Sequence, residues 1–110
     1  VRDLGFQHVV SRETLDMGTY RALNAFGMED RALLPPLRDW LDAQAATARP
    51  FFLTIMTNVG HFPYAVPRGT PVRAFPGVPL QKADYYNAVT YGDGFVRDVI
   101  AELRGRGLLD

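Results

Sequence analysis

Cysteine is absent from this chain, which excludes disulfides, thiolate metal sites and a cysteine nucleophile. The absence fits either side of a membrane, so the compartment stays open. Lysine occurs once, at Lys82, among 12 basic residues, and these are balanced by 12 acidic ones. A formal net charge of zero provides no phosphate-neutralising field, so nucleic acid is not an expected partner. No apolar run approaches the ~20 residues that span a bilayer, and the first residues do not read as a signal peptide. What is present is ordinary for one globular domain: 110 residues, 47% hydrophobic and 22% charged. Val1 in place of an initiating methionine suggests an interior piece of a longer protein, as does Gly107-Leu108-Leu109-Asp110 after the last helix.

Apolar spacing organises the chain. Leu4 to Val10 reads as a short strand ending at Ser11. Asp30 is placed to cap a helix in which Leu33, Leu34, Leu37, Trp40 and Leu41 recur at helical spacing up to about Thr47. Pro35 and Pro36 disturb its start: either the regular helix begins at Pro35, or a separate turn precedes it. Pro50 marks the stop. From Phe51 to Thr57, large and β-branched residues run without polar alternation, as in a strand covered on both faces. Residues 60–80 hold five prolines and read as a long irregular surface loop. Lys82 to Arg104 is the strongest helix, with Tyr85, Tyr86, Val89, Val96, Val99, Ile100 and Leu103 as its stripe. Gly92 and Gly94 inside it suggest close packing against a neighbour.

The order is strand, helix, strand, loop, helix, which predicts an α/β fold. A strand buried on both faces needs paired neighbours, and the chain offers at most one. The rest of the sheet is expected from outside this chain or from another copy of it, through exposed sheet edges.

The segment Pro50 to Tyr64 carries the best candidate site. It is a strand that ends in a small polar turn and presents His61, one of two histidines in the chain. In open α/β folds ligands gather at that end of a strand. An imidazole can donate to an anionic oxygen and exchange a proton near neutral pH. Thr57 and Asn58 flank the turn and can orient His61 or a substrate, or satisfy the backbone at the strand end. His8 reads as structural. Asp93 falls on the apolar stripe and so should need a buried partner, structural rather than catalytic. Arg68 and Arg73 suit an anionic substrate but read more simply as solvated loop residues.

Pro50-Phe51-Phe52 is followed by His61-Phe62-Pro63-Tyr64, then by Tyr85, Val89, Tyr91 and Asp93, then by Leu103 and Gly107-Leu108-Leu109-Asp110. This ordered set of motifs resembles the sulfatase family of the alkaline phosphatase superfamily. Gly27-Met28-Glu29-Asp30 resembles the Gly-x-x-Asp that opens the preceding helix in that family. The set is most similar to the branch holding lipoteichoic acid synthases and phosphoglycerol or phosphoethanolamine transferases. The resemblance implies a fragment of a three-layer α/β sandwich, with few strands and two main helices, from the middle of the catalytic domain. It also implies a parent that uses a divalent metal (Ca, Mn or Mg) and a hydroxyl-type nucleophile on sulfate or phosphate esters. No Cys-x-Pro-Ser-Arg and no Asp-His-Gly occurs here, so residues 1–110 are expected to hold no metal and to be inactive alone. His61 is the catalytic position that carries over, with His61 and Asn58 as substrate contacts. The remaining partner is the rest of the same domain. That branch implies a membrane-anchored parent with an extracytoplasmic or periplasmic catalytic domain. The rival expectation is a small non-catalytic α/β module that completes its sheet by dimerising.

Overall fold

The computed structural model describes residues 2–16, 18–24 and 27–109. Two helices carry it, α1 at Leu34–Thr47 and α2 at Leu80–Gly105, both where the apolar spacing places them. The prolines at the start of α1 resolve in favour of a separate turn. Asp30–Leu33 forms a short 3-10 turn, and α1 follows with Pro35 and Pro36 in its first turn, where a missing N–H removes no intrahelical bond. After α1, Ala48 takes a left-handed backbone at φ 51 and Pro50 follows. At the end of α2, Gly107 at φ 65 lets Leu108 N–H reach Leu103 O at 3.0 Å and Gly107 N–H reach Arg104 O at 3.1 Å.

The expected α/β sandwich is not what the chain forms. Among the described residues there is no sheet, only an isolated antiparallel bridge between Ala22 and Met28. Residues 51–56 alternate between part-buried and exposed, as an extended backbone does, yet a ladder requires a second extended chain beside them. The one candidate, Leu4 to Val10, is not a strand. Arg2–Leu4 is a 3-10 turn, and Gly5 at φ 87 turns the backbone out of the extended region. Without a sheet, the described residues offer no sheet edge for an oligomer, and the rival α/β module loses the element it was to complete.

Nor is the extended segment covered on both faces. Phe51, Leu53 and Ile55 turn inward against a core of Leu34, Leu37, Leu41 and Phe95. Phe52 and Met56 point outward and are 77% and 86% exposed, although Phe6 lies beside Phe52 with ring centroids 6.1 Å apart. Trp40 meets Phe51 edge-on at 5.0 Å, so it is packing material. A second cluster of Val59, Ala88 and Tyr91 sits at the far end of the segment, with Tyr64 and Val66 against it.

The buried line of α2 differs from the predicted stripe. Ala88, Tyr91 and Phe95 are buried and Val99 and Leu103 pack partly behind them, whereas Val89 and Val96 are about half exposed. This helix is apolar over more than one face, so spacing alone did not select the inward one. Asp93 shares the outward face, exposed, and needs no buried partner. Gly92 does face a neighbour, since a Cβ there would meet Val59 at 3.5 Å, but Gly94 faces open space.

A charged lattice joins the body of α1 to the C-terminal end of α2. Arg38 pairs with Glu102 at 2.6 Å, and Arg106 pairs with Asp42 at 2.6 Å and with Glu102 at 2.7 Å. The hydrogen bond from Arg106 holds the Asp42 carboxyl below its ordinary range, and bonds from Arg106 and Arg38 do the same for Glu102. Groups lowered in this way stabilise the fold above their ordinary titration range and lose that contribution as pH falls through the lowered values. Acidification should therefore remove the contribution of this lattice, and Glu102→Gln should reduce the slope of unfolding midpoint against pH in that acid window. Both sites are solvated, so the effect on stability at neutral pH is small.

Candidate functional site

The inward residue Ile55 and the buried Val59 bracket the place where the extended segment ends and its turn begins. His61 N–H donates to Asn58 O at 3.0 Å, and Tyr64 N–H donates to His61 O at 2.8 Å, so two successive turns fold residues 58–64 on themselves. The Phe62–Pro63 peptide is cis, and Tyr64 takes a left-handed backbone at φ 62. That conformation is unfavourable for a bulky side chain and is held by its ring. Tyr64 lies edge-on to Phe62 at 6.0 Å and to Tyr85 of α2 at 5.3 Å. His61 stands exposed between these anchors.

The start of the turn is tied to the approach to α1. Asp30 is 2% exposed, and its two carboxylate oxygens accept the backbone N–H groups of Asn58 at 2.6 Å and Val59 at 3.3 Å. Its carboxylate is therefore not the helix cap suggested by its position. The Asn58 side chain donates from Nδ2 to Met28 O at 3.2 Å and packs on Gly27, where a Cβ would lie 3.4 Å from Asn58 Cγ. Tyr91 from α2 closes the group, its hydroxyl accepting Arg31 N–H at 3.4 Å with the Arg31 guanidinium 5.5 Å above its ring. Burial raises the Asp30 carboxyl above its ordinary range, against the pull of the two backbone donors. Burial likewise raises the Tyr91 hydroxyl.

Asn58 and Asp30 also edge a cleft of about 190 Å³ whose other walls include Ser11, Arg12, Met28 and Met56. The structure thus brings His61 and Asn58 into one turn, with Asn58 at the cleft and His61 two residues beyond the Asp30 clamp. Thr57 is exposed and precedes this group. Arg68 and Arg73 are exposed in the proline-rich loop. The Arg73 backbone is fixed to α2 by Asn87, which accepts Arg73 N–H at 2.8 Å and donates to Arg73 O at 3.1 Å. His8 is exposed and lies outside any strand.

Asp30 and Asn87 are the residues that sequence reading missed in these roles. Asn87 gave no signal, being one polar residue on a helix. Asp30 gave a misleading one, because a carboxylate ahead of a helix reads as a cap. Among the described residues, no three His, Asp or Glu side chains come together as a metal site would require. The described residues therefore offer no complete ligand set of their own for a divalent ion. Among the described residues no helix is long and apolar enough to cross a membrane.

Comparison with known families decides the class. The sulfatase family model matches residues 1–110, the whole of this sequence. This chain belongs to the sulfatase family. No curated protein and no solved structure matches it. Within the sulfatase family the general chemistry is ester hydrolysis with metal assistance, so membership makes an ester the expected substrate and the rest of a sulfatase domain the expected partner.

Proposed function

We propose that this chain is the middle segment of a sulfatase-type catalytic domain and that His61 is its contribution to the chemistry. The parent hydrolyses a sulfate or phosphate ester, or transfers the phosphoryl-bearing group as lipoteichoic acid synthases and phosphoglycerol or phosphoethanolamine transferases do. The observation that carries this reading is the exposed His61 on a turn clamped at its start by Asp30 and at its far side by the Tyr64–Tyr85 contact. An exposed imidazole on a held turn can donate to an ester oxygen or protonate the departing one. Asn58 has two amide donors and gives one to Met28, so the second can reach an anionic oxygen from the wall of the cleft.

The nucleophile and the divalent ion (Ca, Mn or Mg) belong to other parts of the parent domain, and the described residues here carry no step through that ion. The outward side chains Phe52 and Met56 suit a face that another part of the parent domain covers. An extracytoplasmic, membrane-anchored parent accompanies the lipoteichoic acid synthase-like reading.

The test is an assay of the intact gene product, supplied with divalent metal, on an aryl sulfate, an aryl phosphate and a phosphodiester. Turnover of at least one is expected, with none from residues 1–110 alone. An intact product that turns over none of the three, or an isolated segment that is active, defeats the proposal. The substrate that is turned over assigns sulfatase or phosphotransferase chemistry.

A further inference from the structure

Among the described residues, Asp30 is the buried carboxylate of this chain, and nothing in the chemistry proposed for His61 uses it. A buried ionised group is costly unless it is hydrogen-bonded. Asp30 meets that need with one peptide segment: Oδ1 takes Asn58 N–H at 2.6 Å and Oδ2 takes Val59 N–H at 3.3 Å. Those amides are where the extended run ends, and the turn to His61 begins at the same residue, through His61 N–H on Asn58 O. The clamp is seated from the other side by Val59, buried at 3% exposure against Ala88 and Tyr91 of α2.

We propose that Asp30 is a positioning residue for His61: its buried carboxylate fixes the Asn58–Val59 backbone and thereby sets where the imidazole meets the ester. This rests on the role proposed above for His61. The chemistry at the clamp asks for a carboxylate in particular. Two adjacent N–H donors need two acceptors, and a carboxylate supplies both with charge-assisted bonds. An asparagine supplies one acceptor and turns its own NH2 toward the second donor. The turn would then settle differently, and a displacement of about 1 Å at a reacting group can cost about 100-fold in rate.

The experiment is a double-mutant cycle in the intact enzyme, with kcat and KM measured on whichever of the aryl sulfate, aryl phosphate or phosphodiester it turns over. Asp30→Asn should lower kcat by about tenfold or more, with KM changed less than kcat. In a His61→Ala background the same substitution should change kcat by less than about twofold, because the group it positions is gone. Leu41→Ala, a core substitution away from the turn, serves as the control for stability loss and should keep kcat within about twofold at a temperature where it is folded. An Asp30→Asn effect of equal size with and without His61, or no effect on kcat, overturns the inference. If Asp30→Asn yields no soluble enzyme, Asp30→Glu keeps the charge and both acceptors one methylene further out. It is judged by the same cycle, and a kcat loss confined to the His61 background is again the supporting result. Failure of the underlying reading looks different: His61→Ala alone would then leave kcat unchanged.

Discussion

Replacing His61 by alanine in the intact enzyme should lower turnover by about 100-fold or more, the range for loss of a positioned proton donor. Metal content should stay near normal, because the role proposed for His61 is toward the ester oxygen and not toward the ion. The measurement is kcat on an aryl sulfate or phosphodiester beside a metal analysis of the same preparation. The exposed turn is the reason to expect a clean result. His61 projects from backbone that is held by Asp30, by the Tyr64 ring and by two turn hydrogen bonds, so the turn keeps these anchors when the exposed side chain is truncated. A substitution on such a surface changes stability by only about 0.5 kcal/mol or less. Activity that stays within about twofold of the parent would remove His61 from the mechanism.

Phe95→Ala should have the largest effect on stability, a loss of about 3–5 kcal/mol. Phe95 is 1% exposed and is the side chain of α2 that enters the Leu34, Leu37 and Leu41 cluster of α1. The same cluster carries the inward side of the extended segment, through Phe51, Leu53 and Ile55. The ring therefore joins three elements, and removing it leaves a cavity that none of them can fill without moving the others. Chemical denaturation of the intact protein measures the change, with Val96→Ala one position along the helix as the comparison. Val96 is 50% exposed and its truncation should cost far less. Equal losses at the two positions would mean that the inward face of α2 has been misassigned.

Neighbouring positions such as 95 and 96 show what could be read from the chain and what could not. The existence of both helices was legible, because helical spacing and terminators act within a few residues: the prolines ahead of α1, Pro50 behind it and Gly107 after α2 all work on the local backbone. Which side of α2 faces inward was not legible, since Val89, Val96 and Phe95 are all apolar and only the neighbours distinguish them. The extended conformation of residues 51–56 was legible from their bulk, but pairing was not, because it depends on a partner that Gly5 and the Arg2–Leu4 turn fail to provide. In the candidate site, His61 and its turn were visible as a histidine among prolines and aromatics. The Asp30 clamp was hidden because its partners Asn58 and Val59 lie 28 and 29 positions away in the chain.

By itself, then, the sequence determined the sulfatase-type motif order, the two helices, the irregular proline-rich loop and the histidine that the turn presents. These depend on residue identity and short-range backbone preference, which travel with the chain. Only the tertiary structure decided that the extended segment stays unpaired with Phe52 and Met56 outward, that Phe95 is the inward ring, and that Asp30 binds a distant turn instead of capping its own helix. Each of those outcomes is a choice between surroundings of similar local cost, and long-range burial and hydrogen bonding make it.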